Sequence, residues 1–143
     1  DDDKIRELKR ILTEDQREMV KMLVAIREGQ SAFRRSLLAV YPRCAVSGTT
    51  VEATLDAAHI SPYKGLQSHE VRNGLILRKD IHRLFDDHLL TIDGEERVRV
   101  SPGVTDPTYR EMDGRPASLP ADLEARPDPV VLEAHRAKCT WLV

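Results

Sequence analysis

His59, Asn73, His82 and Asp86 are the residues of this 143-residue chain whose types and order could run a hydrolytic reaction. An imidazole titrates near neutral pH, so a neutral His59 can take a proton from water. A lone histidine is more often structural, and what lifts His59 above that reading is its company. His82 and Asp86 stand four apart, and on a helix they project from one face. An imidazole beside a carboxylate offers two ligands to a hard or borderline cation such as Mg2+, Mn2+, Ni2+ or Zn2+, with water and phosphate completing the shell. A carboxylate near a helix C-terminus also opposes the helix dipole, which favours a ligand role for Asp86 over a solvated acid. Hydrolysis of a phosphodiester needs such a base and such a cation.

These side chains need elements to hold them. Ala53 to Ile60 reads as a strand ending at the His59 segment, preceded by a strand at Cys44-Ala-Val46 across the turn-rich Ser47-Gly-Thr-Thr50. Ser61 to Gly74 is predicted as a loop, punctuated by Pro62, Gly65 and Gly74. Asp80 is expected to cap a short helix over Ile81 to His88, and Asp93-Gly94 to turn a hairpin between Leu89–Ile92 and Arg97–Val100. Upstream, Lys4 to Glu28 contains neither Gly nor Pro and carries Ile5, Leu8, Leu12, Met19, Met22 and Ile26 at helical spacing. That segment is one helix or two, since Thr13 and Gln16 form a capping box that would restart it. Gly29-Gln-Ser31 is expected to break the pattern, with Ser31 capping a helix whose apolar face is Phe33, Leu37, Leu38 and Tyr41. Arg34 and Arg35 flank that face as solvated cations or phosphate contacts. Past Ser101-Pro102, prolines at 107, 116, 120, 127 and 129 imply an irregular wrap, and Asp128-Pro129 opens a last helix near Val130 to Lys138.

The motif-local set is larger than three letters. Gly29-Gln30 with Phe33-Arg34, Cys44 with Gly48, Ala57-Ala-His-Ile60, Asn73-Gly-Leu75, and Ile81-His-Arg-Leu-Phe-Asp86 followed by Leu90-Thr-Ile-Asp93 occur in order. In this combination the chain resembles the HNH endonuclease family, in the branch found in bacterial restriction and defence proteins, over roughly Ala32 to Ser101. The resemblance implies an α+β fold with a ββα-metal core, in which His59 is the general base, Asn73 ties the loop so that His59 points correctly, and His82 binds the metal. The residue before the base is often Asp or His in that family and contributes to the metal; here it is Ala58, and Asp56, two residues earlier on the strand, is the candidate to supply the missing metal-binding carboxylate. Arg72 and Arg83 are the candidates to steady phosphate. His69 and His88 match no motif position: His69 lies in the polar loop and could approach phosphate, while His88 ends the helix where a cation suits the dipole. His135 reads as packing or surface.

Composition agrees with a soluble globular domain, at 41% apolar and 32% charged, and no run is long enough to span a membrane. A cytoplasmic location is expected. Cys44 and Cys139 are too few and too far apart for a disulfide framework or zinc knuckle, so reduced thiols are expected. The net charge of −2 conceals an asymmetry: Lys64, Arg72, Arg78, Lys79 and Arg83 outweigh Glu70 and Asp80 between residues 59 and 85, and acids predominate beyond. A phosphate-binding surface is expected on the first segment, with the acidic tail facing away. Residues 1–28 are expected to be a helical linker or dimerisation segment and residues 29–143 the HNH domain. Asp1-Asp-Asp-Lys4 resembles the end of a tag or protease site, which suggests a fragment of a longer chain with further domains.

The expected activity is metal-dependent cleavage of double-stranded DNA by a nuclease module of a restriction or antiphage protein, with a homodimer through the N-terminal helices. Two other readings stay open: a module of the same fold that binds DNA without cutting, and a structural module in which His82 and Asp86 merely hold a metal.

Overall fold

The computed structural model describes residues 1–11, 13–62 and 64–143, with the backbone alone at Leu8, Lys9, Ile11 and Leu66. Leu12 of the N-terminal stripe and Tyr63 of the central loop lie outside the described residues. The chain divides into two compact units, Asp1–Ala32 and Phe33–Val143.

In the first unit, α1 (Asp2–Ile11) ends and α2 (Glu14–Val40) begins around Thr13. The capping box is made in both directions: Thr13 N donates to Gln16 Oε1 at 2.9 Å, and Gln16 N donates to Thr13 Oγ1 at 3.3 Å. Two otherwise unsatisfied amides are thereby paired, which is why the helix restarts here. Met19, Met22 and Leu23 on α2 are more than half exposed.

The expected break at Gly29-Gln-Ser31 does not occur, and α2 runs through it for 27 residues. A single glycine inside a helix costs only about 1 kcal/mol. Burial of Phe33 and Leu37 on the same helix outweighs it, since each such side chain contributes about 1.5–3 kcal/mol. Ser31 is therefore a mid-helix residue, not a cap.

In the second unit, β1 (Leu55–His59) pairs antiparallel with β2 (Gly74–Arg78), in the register Leu55 to Arg78 and His59 to Gly74. Leu75-Ile-Leu77, a continuous apolar run, is fully buried, as a strand covered on both faces should be. The helix α3 (Lys79–Asp86) follows at once and lies against both strands, giving the ββα order. Cys44-Ala-Val46 is a turn rather than a strand: Gly48 N returns to Cys44 O at 3.0 Å, and Cys44 Sγ accepts the amides of Ser47 and Arg78, each at 3.3 Å. Both cysteines are buried free thiols.

Asp80 does not cap α3. It accepts from Arg78 Nε at 2.7 Å and Nη2 at 2.9 Å, and from the Tyr109 hydroxyl at 2.8 Å. The Arg78 guanidinium, helped against burial by that hydroxyl, holds the Asp80 carboxyl down at about 2. β3 (Leu90–Ile92) and β4 (Val98–Val100) form the predicted hairpin, closed by Asp93, whose Oδ1 accepts from Glu95 N at 2.9 Å and Arg97 N at 3.0 Å. The proline-rich wrap contains a short α-helix, α4 (Pro107–Arg110), and a 3-10 turn, Leu123–Ala125, before α5 (Pro129–Ala137), which Asp128 caps through Val130 N at 2.8 Å. The fold is α+β.

Gly74 is the most tightly packed of the described glycines. A Cβ there would sit 2.6 Å from Phe33 Cζ and 2.7 Å from Leu37 Cδ1. Gly74→Ala should destabilise the protein by about 1–3 kcal/mol through overpacking, visible as a lowered thermal midpoint. An unchanged midpoint would show that Phe33 and Leu37 yield without strain.

Candidate functional site

The ββα unit sets His59, His82 and Asp86 around one cavity of about 840 Å3. Ala57 and His59, two apart on β1, line it together with His82 and Asp86 of α3. Helix periodicity explains the α3 pair: Ile81 and Phe85 point into the core, leaving His82 and Asp86 on the opposite face.

Nε2 of His82 lies 3.2 Å from Oδ2 of Asp86. Its other nitrogen, Nδ1, lies 2.9 Å from Oδ2 of Asp56, whose Oδ1 accepts from Lys79 Nζ at 2.6 Å. Burial alone would raise the Asp56 carboxyl, but the hydrogen bonds from Lys79 and His82 outweigh it and keep it below its ordinary value. An ionised Asp56 carboxylate only accepts, so Nδ1 of His82 donates to it, while Nε2 faces Asp86. Asp56 thus stands at the far nitrogen of His82 from Asp86. Among the described residues no group of three or more His, Cys, Asp or Glu side chains is arranged to hold a metal ion. The donor set of His82 Nε2 and Asp86 Oδ2 nevertheless suits a cation such as Mg2+, which keeps several waters and takes few protein ligands.

His59 is half-buried and stacks on Phe33, with ring centroids 4.3 Å apart and planes 5° from parallel. Its Nε2 lies 3.1 Å from Nδ1 of His69. Burial, and then the neighbouring His69, push the His59 imidazole below its ordinary value, with Asp86 pulling the other way. His69, expected to be a bystander in a polar loop, is therefore at the site. A short 3-10 turn, Leu66–His69, folds it back, and nothing in the local pattern announces that pairing.

Asn73 explains how the loop is held. Its Oδ1 accepts from Ser61 N at 2.8 Å, and its Nδ2 donates to Ser61 O at 3.1 Å and Ser68 O at 3.0 Å. One carboxamide therefore grips the backbone two residues after His59 and one residue before His69.

The cations are distributed otherwise than the charge count implied. Arg78 pairs with Asp80, Lys79 with Asp56 and Arg83 with Asp87, and Arg72 Nε donates to Arg126 O at 3.3 Å. Neither Arg72 nor Arg83 is among the described residues lining the cavity, whereas Lys64 and Lys138 are. Arg34, beside the apolar face of α2, donates to the carbonyls of Leu55 and Glu52 and so ties down the start of β1.

The tail does not face away. Val130, Val131, Ala134, His135 and Lys138 of the α5 segment make a further wall of the cavity. Asp128 N bonds Arg72 O at 2.8 Å, and Trp141 Nε1 bonds His88 O at 2.7 Å. His88 lies just past α3 with a left-handed backbone, φ 59°, rather than within its last turn. His135 is buried: its ring stacks on Phe85 at 3.7 Å, Nε2 lies 2.8 Å from Phe85 O, and Nδ1 lies 2.8 Å from Thr91 Oγ1.

No helix among the described residues is long and apolar enough to cross a membrane. No curated protein matches the chain at a significant level. Residues 44–93, which contain β1, the loop, β2, α3 and β3, match the model of the HNH endonuclease family. That match supports an HNH-type domain over those residues.

Proposed function

We propose that this chain is a metal-dependent DNA endonuclease of the HNH type. The family match over residues 44–93 supports the coarser statement, a nuclease or DNA-binding function with DNA as the partner. The observation that carries the finer one is the shared cavity: the half-buried His59 imidazole opens onto the same space as an imidazole and carboxylate 3.2 Å apart, His82 and Asp86.

The residues divide the work as follows. His59, which burial pushes toward its neutral form, takes a proton from water. His82 Nε2 and Asp86 Oδ2 would hold a divalent cation, which when bound supplies charge neutralisation at the phosphate and the leaving oxygen. Asp56 fixes the ring and tautomer of His82 from its other nitrogen, in the manner of a carboxylate behind a metal-binding histidine. Asn73 holds the loop that follows His59. Lys64 and Lys138 are better placed than Arg72 and Arg83 to meet phosphate in the cavity. Such contacts orient the duplex and carry no base information, so sequence selectivity would come from elsewhere. A restriction or antiphage setting is the biological context that the motif set favours.

Supercoiled plasmid incubated with Mg2+, Mn2+, Ni2+ or Zn2+ tests this reading. Nicking is expected with at least one ion and is abolished by chelation. His82→Ala should lower its rate by more than about 100-fold, since several kcal/mol of charge stabilisation is lost. Plasmid that stays intact under every ion, yet is retarded on a gel by the same protein, would mean a module that binds DNA without cutting.

A further inference from the structure

We infer that His69 is the positioning residue for His59: its Nδ1 accepts the Nε2–H of His59 and so fixes the tautomer in which His59 Nδ1 receives the proton of water. The inference rests on the nuclease reading above and adds a residue that the family motif does not contain.

The contact itself limits the choices. A hydrogen bond between two imidazoles 3.1 Å apart, Nε2 to Nδ1, needs an N–H on one ring and a lone pair on the other. If His69 donated, the single proton of a neutral His59 would sit on Nδ1, and His59 would be in the wrong tautomer to receive another there. If His59 donates, Nδ1 becomes its basic nitrogen. Only the second arrangement makes a base, and it needs His69 to carry its own proton on Nε2.

The surroundings hold this pair rigidly. Phe33 stacks parallel on the His59 ring and also lies 5.3 Å from the His69 ring, tilted by 39°. The Asn73 carboxamide grips Ser61 and Ser68, the backbone flanking the two histidines. The logic is that of an acid behind a catalytic histidine, with a neutral imidazole as the acceptor. In the reaction a water O–H bond breaks and its proton goes to His59 Nδ1. The water oxygen bonds phosphorus, and the bond from phosphorus to the sugar oxygen breaks. That oxygen takes a proton from solvent, and His59 afterwards returns its own. While charged, His59 keeps its Nε2–H on His69 Nδ1.

The test uses the full chain. Long-range proton–nitrogen NMR spectra report which ring nitrogen of His59 carries the proton, and plasmid nicking reports the rate. Wild type should show His59 protonated on Nε2. His69→Ala should give a mixture of tautomers and nick about 10- to 100-fold more slowly, the usual cost of losing an orienting partner. His69→Gln, whose amide oxygen can accept the same hydrogen bond, should restore the Nε2–H form and recover most of the rate. A wild-type His59 protonated on Nδ1 would overturn the inference, as would a folded His69→Ala nicking at the wild-type rate. If His69→Ala fails to fold, the glutamine variant decides on the same two readouts. If no variant nicks DNA under any ion, the nuclease reading fails, and the tautomer of His59 still decides whether His69 orients it.

Discussion

His59→Ala is expected to lower plasmid nicking by about 100- to 10,000-fold, the range over which a positioned acid–base group acts. The loss should fall on the chemical step, because the groups suited to cation and phosphate, His82, Asp86, Lys64 and Lys138, are untouched. Folding should survive. The variant gives up a stacked contact with Phe33 worth about 1 kcal/mol and opens a gap at a half-buried position, while the β1–β2 ladder persists. Gel retardation and a thermal melt alongside the nicking assay separate lost catalysis from lost structure. Equal nicking by wild type and variant would remove His59 as the base. Reduced nicking with equally reduced DNA retention would point to a binding role instead.

The second large effect concerns stability rather than chemistry. Lowering the pH from about 6.5 to about 4 should cost the fold about 3 kcal/mol through His135. Burial pushes its imidazole down from the ordinary 6.5 to about 4, against the hydrogen bond to Phe85 O and with help from His88, Lys138 and Arg136. The folded state thus keeps His135 neutral where the unfolded chain protonates it. Stability is complete above the unfolded value, falls as the pH drops below it, and levels off below the folded value. The neutral ring fits its place: Nε2–H donates to Phe85 O, and Nδ1 accepts from the Thr91 hydroxyl. His59 is lowered as well and adds slope in the same direction, so the comparison is between wild type and His135→Gln. Urea midpoints at pH 7 and 4.5 should differ much more for wild type. Equal differences would mean that His135 is not what resists acid. Asp80 contributes below this window, because a carboxyl held at about 2 loses its stabilisation only as the pH falls from the ordinary carboxylate range toward that value.

What could be read from sequence was what is satisfied locally. Thr13 and Gln16 complete each other within one turn, and Asp93-Gly94 and Asp128-Pro129 carry their own turn and cap chemistry. His82 and Asp86 share a face because helical spacing alone requires it. The misreadings share a different cause. Gly29 looked like a break because the burial of Phe33 and Leu37, which carries α2 through it, is a tertiary effect. Cys44 to Val46 has strand composition, yet the Cys44 amide is committed to Thr49 O, the Ala45 amide to Ile76 O and the Cys44 sulfur to the amides of Ser47 and Arg78. Leu75-Ile-Leu77 was passed over as a strand because a short apolar run without alternation has no distinguishing period. Asp80 had a cap-like position but found a better partner in Arg78. His69 and the wall made by α5 had no sequence signal at all, because each is brought to the cavity by long-range folding.

The α5 wall gives the order of synthesis a role in how this cavity comes into being. His135 packs on Phe85 across 50 residues of chain, so a nascent polypeptide displays its paired histidines long before the segment bearing Val131 and Lys138 has left the ribosome. Until that segment docks, the cleft lacks one side.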